Sequence, residues 1–427
     1  GQEVYYEGQM IVLEEGPLLL KSEAGEEVRL EILFGSEIPF AWLETESGDL
    51  QYLKDEEERQ EEGLLYFVNE DGVLEYDGEL DKIKLRGNST RLQPKCPFRI
   101  RLDQGASLAQ LGCSEDYVLL AEYGDPSLMQ NKAALELANR TTDLYEPDGV
   151  HIDLYINGEY MGVYLLCEGI FIGENRLDLH NLEKETEKSN RQPLEEYAAF
   201  QETFGEDTLT KGYEIPNNPA DITGGYLLEL EYPGRYEDEE TTGFRTARDR
   251  TLVIKDPNRA SREQVEYIQS QFQQVEDAIY AEDFQVPGTS LALEDVVDLK
   301  SFVHKYLVDE ICMNTDPWTS QFLYRDRGEA VFHFGPAWDY DMAFGHYAPG
   351  YSPEEFYLNN HIWYGEVYEY PAFQELLRTE YESCYLPVLE DLTTEEIPRW
   401  KEELRSSARM NFTRWDMGEI YERNEIL

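Results

Sequence analysis

The residues best suited to chemistry lie in the stretch 334–345, where Asp339 and Asp341 stand among apolar and aromatic neighbours. Because an isolated carboxylate is costly to remove from water, acids in such surroundings need a bound cation or a tightly paired basic group. A third acid, Asp316, follows a helical pattern and precedes a strand-like one. These acids are therefore candidates for proton transfer and metal binding. The alternative is a structural corner in which an acid caps a turn.

A basic stretch between two predicted strands stands out in a chain this acidic. Gly87, Asn88 and Ser89 would let backbone amides approach an anion closely, as phosphate-binding turns do. The alternative is an edge hairpin whose cations serve solubility. The cations of this stretch are Arg86, Arg91, Lys95, Arg99 and Arg101.

A predicted helix and a predicted hairpin position the acids. The helix, over 302–311, leads the chain to Asp316. Two strands, over 321–324 and 330–334, fill the interval between Asp316 and Asp339.

The rest of the pattern is strand-rich at the front and helical at the back, which favours an α+β fold. Apolar residues recur at three- and four-residue spacing over 262–281 and predict an amphipathic helix. Residues 184–218 are polar and loop-like, with one possible helix over 194–204, and look like an insertion. The other predicted elements are strands over 65–68, 73–76, 83–85, 98–102, 150–156, 160–167, 224–231 and 251–254, a helix over 127–140 and a helical scaffold over 371–415.

Length and charge limit the function. The chain has 427 residues, a net charge of −53 and 41% hydrophobic residues, enough for a substantial core. Since nucleic acids and anionic membranes require basic faces, the charge argues against both as partners. No apolar run reaches the roughly 20 residues of a membrane helix, and no HExxH, Walker A or GxSxG motif is present. Five scattered cysteines without a CxxC pair indicate neither a thiolate metal site nor a disulfide framework.

Several short motifs occur in a specific order along the chain. They are Arg86-Gly-Asn-Ser-Thr90, Pro94-Lys-Cys-Pro-Phe-Arg-Ile-Arg-Leu102, Ser127-Leu-Met-Gln-Asn-Lys132, Asn157-Gly-Glu-Tyr-Met-Gly-Val-Tyr164, Gly224-Gly-Tyr-Leu-Leu-Glu-Leu-Glu231 and Gly335-Pro-Ala-Trp-Asp-Tyr-Asp341. With these motifs the chain resembles the CotH kinase family of bacterial spore-coat and secreted proteins. The likeness runs from about residue 64 to residue 345 and continues more loosely towards the C-terminus.

The resemblance implies ATP-dependent phosphoryl transfer to Ser or Thr of a protein substrate, assisted by Mg²⁺ or alternatively by Mn²⁺ or Ca²⁺. It makes Asp316 the base that accepts the proton of the acceptor hydroxyl, and Asp339 the metal-binding acid. Gln321 and Asp341 are expected as further metal ligands. Glu168 is expected where a kinase hinge would contact adenine, and its alternative is a capping acid.

The resemblance also implies a nucleotide-binding role for the basic stretch. Cys96 stands where the family often has a second lysine. The cation that holds the α and β phosphates therefore stays open among Lys95, Arg99 and Arg101. The residues expected to bind the nucleotide are Arg86, Asn88, Ser89, Lys95, Arg99 and Glu168.

The implied fold is a two-lobed, atypical protein-kinase-like α+β fold with a strand-rich N-lobe and a helical C-lobe. We expect a strand-rich N-terminal extension over 1–63 and a kinase-like domain over 64–345 with an insertion at about 184–218. A helical part of the same lobe is expected over 346–427.

The expected partners are the nucleotide and a protein with a Ser or Thr acceptor, without nucleic acid and without a membrane-spanning segment. A start at Gly1 without Met is compatible with a removed leader, although the remnant of a tag would look the same. An extracytoplasmic location in a bacterium, secreted or at the cell surface, is expected. The spore coat and the cytoplasm are the alternatives. The rival function is a pseudokinase or binding scaffold, or a kinase-like fold that performs AMP transfer or ligation.

Overall fold

The structure is a computed structural model that describes residues 38–56, 59–205, 207–314, 316, 319–345, 354–358 and 361–415, and the backbone of four strands before residue 38. It confirms the predicted α+β class, since strands are frequent up to residue 334 and helices dominate the described chain after residue 361. The chain divides into two compact units. The first contains Gly1–Leu128, Val150–Leu166 and Glu395–Leu427, and the second contains Met129–Gly149 and Cys167–Thr394.

No helix among the described residues has the length and apolar character needed to cross a bilayer. In chain order the elements are β1 (Gln2–Tyr6), β2 (Gln9–Leu13), β3 (Gly16–Lys21), β4 (Glu27–Ile32), β5 (Phe40–Thr45), α1 (Leu50–Lys54), β6 (Gln60–Val68), β7 (Leu74–Leu85), β8 (Phe98–Ala106), β9 (Ser114–Leu120), α2 (Gln130–Thr141), β10 (Gly149–Ile156), β11 (Glu159–Glu168), α3 (Leu182–Ser189), β12 (Ala199–Phe204), β13 (Asp207–Tyr213), β14 (Tyr226–Glu231), α4 (Pro233–Asp238), β15 (Gly243–Arg245), β16 (Thr251–Asp256), α5 (Arg262–Ile279), α6 (Leu299–Ile311), β17 (Gln321–Arg325), β18 (His333–Phe334), α7 (Tyr364–Val367), α8 (Pro371–Glu380), α9 (Leu386–Asp391), α10 (Ile397–Glu403) and α11 (Arg405–Arg414).

A closed barrel with the strand order β10-β11-β9-β8-β7-β6-β5 forms the centre of the first unit. The ladders from β5 to β9 are antiparallel, and a parallel ladder between β5 and β10 closes the barrel. Side chains alternate between inside and outside along each strand. In β8, for example, Phe98, Ile100 and Leu102 are fully buried, whereas the intervening Arg99 and Arg101 are half-buried.

The hairpins predicted in this unit are confirmed. The turn between β10 and β11 has positive φ at both Asn157 (51°) and Gly158 (82°), the conformation that tight hairpin turns need. The β6–β7 hairpin is longer than predicted, because β6 begins at Gln60 and pairs with β5 as well. The boundary predicted between residues 63 and 64 therefore lies inside β6.

A seven-stranded sheet with the order β12-β13-β15-β16-β14-β17-β18 forms the centre of the second unit. The predicted helix over 262–281 is confirmed as α5, which begins with a capping box in which Ser261 and Gln264 each accept a backbone hydrogen bond from the other. The predicted helix over 302–311 is confirmed as α6. It is buried along most of its length, including Lys305 and Asp309.

The helix predicted over 127–140 is confirmed as α2, although it begins later, at Gln130. Leu128 has a φ of 61°, which a helix cannot contain, and Asp125 accepts a hydrogen bond from the Ser127 amide to close a turn. The helix predicted over 194–204 was wrong, because the chain there forms a single 3₁₀ turn followed by β12. Because β12 pairs with β13, part of the expected insertion belongs to the sheet.

Candidate active site

One end of the seven-stranded sheet brings together the predicted catalytic and metal-binding acids. At this end β14 finishes beside the first residues of β16 and β17, since Glu231 pairs with Thr251 and Leu230 pairs with Gln321. We call it the acid end. Just beyond β14, the Tyr232 hydroxyl donates a hydrogen bond of 3.2 Å to Asp316 Oδ1.

Asp339 is attached to the same end through the residue that precedes β17. The Ser320 hydroxyl donates a hydrogen bond of 3.0 Å to Asp339 Oδ2. Asp339 itself has a φ of 68°, and it is exposed while its neighbours Trp338 and Tyr340 are buried. The turn therefore anchors two aromatic rings in the core and leaves the carboxylate between them accessible.

Asp316 is half-buried, and its backbone amide donates a hydrogen bond of 3.0 Å to Asn314 Oδ1. Burial raises the pKa of Asp316, because the charged form loses hydration. The hydrogen bond from Tyr232 opposes this rise, and the negative charge of Asp339 adds to it. Asp316 and Asp339 therefore interact electrostatically, as two carboxylates that share a site do.

A fully buried ion pair lies beneath the two acids. Lys305 and Asp309, one helical turn apart on α6, are both completely buried, with Lys305 Nζ 2.6 Å from Asp309 Oδ1. Burial alone would raise the pKa of Asp309, but the charge of Lys305 and the hydrogen bonds that Asp309 accepts hold the pKa below its usual value. Among those donors are the hydroxyls of Tyr340 and Tyr364, each at 2.8 Å.

The partners of Asp309 are the residues that flank the candidate acids. Gln321, next to Ser320, donates to Asp309 Oδ2 at 3.0 Å. Asn314, which binds the Asp316 amide, donates from its side chain to Asp309 Oδ1 at 3.4 Å and from its backbone amide to the Asp309 carbonyl at 2.9 Å. Tyr340 follows Asp339 directly. One buried carboxylate thus connects both acid-bearing loops and the first residue of β17.

Further buried groups hold the backbone of the loop that carries Asp339. Glu146 accepts a hydrogen bond of 2.5 Å from the Ala337 amide, and Asn131 accepts one of 2.9 Å from the Tyr340 amide. Glu146 is in turn 3.2 Å from His304 Nε2 on α6. The loop is therefore fixed on both sides of Asp339 by side chains of the same unit.

The two further metal ligands expected from the sequence differ in environment. Asp341 is half-buried. Gln321 is buried, and its amide is engaged on both sides, since its Oε1 also accepts a hydrogen bond of 3.3 Å from Tyr364. No cluster of three or more His, Cys, Asp or Glu side chains suited to a metal occurs in the described part of the chain. Asp339 and Asp341 are few enough to fit Mg²⁺, which is usually bound by one or two carboxylates together with phosphates and water.

The predicted nucleotide cations of β8 contact acids of β9. Arg99 forms hydrogen bonds of 3.2 and 3.0 Å with Asp116 Oδ1, and Arg101 NH1 lies 3.1 Å from Asp116 Oδ2. Arg101 also pairs with Glu115 at 2.5 Å. Arg99 and Arg101 lie on the same face of β8. Their repulsion is offset in part by these ion pairs across the strands.

Lys95 is completely buried in the first unit. Its amine donates hydrogen bonds to the Val163 carbonyl and, at 2.9 Å, to Asn411 Oδ1 of α11, and it lies 4.6 Å from the centre of the Tyr164 ring. Gly162 is required here, because a β-carbon would lie 2.4 Å from Asn411 Oδ1 and 3.0 Å from Lys95 Cε. Burial lowers the pKa of Lys95 to about 7, although nearby acids partly oppose the shift.

The turn 86–89 has the backbone geometry expected of a loop whose amides an anion can approach closely. Gly87 has a φ of 81°, and a β-carbon there would lie 2.1 Å from Thr90 Oγ1. The amide of Arg86 donates to the Pro97 carbonyl, while Asn88 and Ser89 are exposed. The exposed part of this turn is thus polar and built on a backbone that only glycine permits.

Glu168, the expected adenine neighbour, is buried at the end of β11. Its Oε1 accepts a hydrogen bond of 2.9 Å from Arg176, and the Tyr145 hydroxyl lies 3.4 Å from its Oε2. Its backbone amide donates to the Asp148 carbonyl. The side chain of Glu168 is therefore part of an internal ion pair of the second unit.

Sequence reasoning missed Lys305, Asp309 and Tyr232. The sequence did contain a signal for Lys305 and Asp309, because a lysine and an aspartate four residues apart in a helix can meet on one face. Tyr232 gave no such signal, since its contact with Asp316 depends on the pairing of β14 with β17.

The family model described as CotH kinase protein matches residues 83–425. The chain belongs to the CotH kinase protein family. The match to this CotH family model begins within β7 and includes the basic turn, the buried ion pair, both acids and α11. No curated protein matches the chain.

Replacing Asp309 by Asn should lower the free energy of unfolding by about 3–5 kcal/mol, because it leaves the charge of Lys305 buried without a counterion. Chemical denaturation measures this change. Adding Lys305→Met to the variant should recover much of the loss. The matched control is Asp71→Asn at an exposed turn, and a cost no larger than that of the control would contradict the role of the pair.

Lys95 should make stability depend on pH. Since its pKa is about 7 in the folded protein and 10.5 ordinarily, the unfolded chain binds more protons between these values. The free energy of unfolding should therefore rise with pH across this window, by up to about 1.4 kcal/mol per pH unit from this residue. Denaturation of the wild type and Lys95→Met at several pH values tests this. The variant should lose the slope, whereas Lys188→Met, at an exposed site, should keep it.

Proposed function

We propose that this protein is a metal-dependent protein kinase that transfers the γ-phosphoryl group of ATP to Ser or Thr of a protein. The observation that carries the proposal is the pairing of Asp316 and Asp339 at one sheet end, each oriented by its own hydroxyl donor. Membership of the CotH kinase protein family supports a kinase-like activity.

Asp316 is the proposed general base. It accepts the proton of the acceptor hydroxyl while the hydroxyl oxygen attacks the γ-phosphorus and ADP leaves. A raised pKa suits this role, because a stronger base takes the proton more readily as long as it remains ionised at the working pH. Tyr232 keeps the carboxylate oriented and favours its ionised form.

Asp339 is the proposed holder of a divalent cation, Mg²⁺ in the first instance and Mn²⁺ or Ca²⁺ as alternatives. Such an ion supplies positive charge against the phosphates. The exposed position of Asp339 supports this role. Asp341 is a further proposed ligand, and Gln321 would have to exchange its contacts with Asp309 and Tyr364 to serve as another.

The nucleotide-binding roles and the kinase-like arrangement are also part of the proposal. We propose the strand-rich unit as the N-lobe and the second unit as the C-lobe. The exposed turn with Asn88 and Ser89 is the proposed phosphate contact, together with Arg86. Lys95, Arg99 and Glu168 stay predictions, as does an extracytoplasmic location in a bacterium.

A second candidate function is a non-catalytic binding protein. The observation that favours it is the engagement of the predicted nucleotide cations with internal partners, Arg99 with Asp116 and Lys95 with Asn411. AMP transfer or ligation on a kinase-like fold is the related catalytic alternative.

Labelled ATP separates these functions. The protein is incubated with Mg²⁺ or Mn²⁺ and with ATP labelled at either the γ or the α phosphate. Protein-bound γ label supports the kinase, and protein-bound α label supports AMP transfer. ATP binding without either label on protein supports a pseudokinase.

Replacing Asp316 by Asn should lower γ-label transfer roughly 100- to 10,000-fold and leave nucleotide affinity near the wild-type value, because Asn cannot accept the proton. Asp339→Asn should instead weaken metal-dependent ATP binding. Transfer rates, ATP titration and melting temperatures are measured on both variants. Unchanged transfer in Asp316→Asn with a lower melting temperature would assign Asp316 a structural role.

Tyr232→Phe should move the acidic limb of the pH–activity profile to higher pH. The hydroxyl stabilises ionised Asp316, so its removal raises the pKa of Asp316 further, and a higher pH is then needed to keep the base ionised. Transfer is measured from acidic to neutral pH. Tyr66→Phe, at an exposed position on the barrel, is the control, and an unmoved limb in Tyr232→Phe would refute the proposed coupling.

A further inference from the structure

A cavity of about 210 Å³ opens at the acid end of the sheet. Its walls come from the end of β14, with Glu231 and Tyr232, and from the turn into β16, with Arg250 and Thr251. Ile362 provides an apolar side. Tyr232 lines this cavity and also donates a hydrogen bond to Asp316, the proposed base.

Arg250 differs from the two other arginines of its hairpin. Arg245 pairs with Glu237 at 2.9 Å, and Arg248 pairs with Asp277 at 2.6 Å. Arg250, in contrast, has a buried Nε that finds no hydrogen-bond acceptor among the described residues, and no described carboxylate forms an ion pair with it. In a chain of net charge −53, a cation in a cavity without a counterion among the described residues is unusual.

The acids in the cavity wall are already engaged elsewhere. Glu231 accepts a hydrogen bond of 2.8 Å from the Tyr232 amide and another from Arg235 NH1. Asp249 pairs with Arg245 NH1 at 2.5 Å. Neither carboxylate therefore forms an ion pair with Arg250, and its guanidinium has donors besides the buried Nε that an incoming anion can use.

The position of the cavity indicates which reactant carries that anion. Asp316, the proposed base, contacts the acceptor hydroxyl, whereas Asp339, the proposed metal ligand, faces the nucleotide phosphates. Tyr232 joins the cavity wall to Asp316, and Ser320 binds Asp339 instead. The cavity therefore lies on the acceptor side of the proposed chemistry.

We propose that Arg250 forms an anion subsite that binds an oxyanion of the acceptor protein close to its Ser or Thr hydroxyl. The oxyanion is an Asp or Glu carboxylate or a phosphate ester already present on a neighbouring residue. The planar guanidinium suits both, since it donates parallel hydrogen bonds to either group. This role of the subsite rests on the proposed kinase function.

The acidity of the rest of the chain does not prevent such binding. Charges farther than about 8–10 Å are largely screened at physiological salt, so the groups in the cavity wall dominate. Glu231 and Asp249 each contact another arginine, so Arg250 is the cation of the cavity wall that is left to bind an anion. Anion binding should accordingly require this one residue.

A binding experiment without ATP tests the subsite. Peptides containing one serine, with Glu, phosphoserine or Gln placed in turn at each nearby position, are titrated into the full-length protein by calorimetry. The Glu or phosphoserine peptides should bind more tightly than the Gln peptide, and Arg250→Gln should remove roughly 10-fold or more of that preference. Preference for Glu or for phosphoserine identifies the source of the oxyanion.

Matched variants show whether the effect is local. Arg191→Gln removes the same charge at an exposed position and should leave the preference intact. Arg250→Lys should retain part of it, and Arg250→Glu should favour peptides with Lys at that position. Absence of any preference in the wild type, or its survival in Arg250→Gln, would overturn the subsite.

Phosphoryl transfer to the same peptides separates this inference from the proposed function. Arg250→Gln should raise the KM for the anionic peptides and leave kcat nearly unchanged, because the contact is the same in the ground and transition states. Arg250-dependent binding without any transfer would keep the anion subsite and reject the kinase. Transfer that is equally efficient for anionic and neutral peptides would keep the kinase and reject the subsite.

Discussion

The second unit depends on a constraint that follows from burying two opposite charges in one helix. Lys305 and Asp309 lose all contact with water, and such a pair is tolerated only if the remaining lone pairs and protons are satisfied. Asp309 meets this demand with donors from outside α6, among them Gln321, Tyr340 and Tyr364. Because each donor belongs to a different segment, the requirement to satisfy one carboxylate also fixes where those segments lie. The positions of Asp316 and Asp339 therefore depend on a fully buried ion pair, Lys305 with Asp309.

The electrostatics of this protein therefore differ between its surface and its interior. The negative net charge is distributed over many exposed carboxylates, several of which form ion pairs such as Arg399 with Glu403. Pairs of this kind contribute about 0–1 kcal/mol each and are screened by salt. Inside the second unit, a few charges in a medium of low polarity have larger effects, as the altered pKa values of Asp309 and Asp316 indicate. The pKa values at the acid end depend on this small set of charges and little on the overall acidity.

Much of the fold could be predicted from the sequence wherever local pattern and tertiary structure agree. The amphipathic spacing of α5 and the Asn157-Gly158 turn each specify their element without help from distant residues. Prediction failed over 194–204, where pairing between strands outweighed local helix propensity. In the site, Asp316 and Asp339 were recognisable by type and spacing. Arg250 was not, because its significance lies in the absence of an ion pair among the described residues, and only the fold determines which acids its neighbours have already engaged.

The contact between α11 and the barrel also has a consequence for the order in which the chain folds. The amine of Lys95 is bound by Asn411, 316 residues later in the chain, and the Val163 amide is bound by the same side chain across 248 residues. During synthesis from the N-terminus, the barrel strands emerge from the ribosome long before their polar partner exists. Until then the buried lysine lacks one of its acceptors, so completion of the barrel unit waits for the last segment of the chain. Contacts over such sequence distances carry a large loop-closure entropy and are typical of slow folding. α11 thus supplies the last of these polar contacts of the barrel unit to be synthesised.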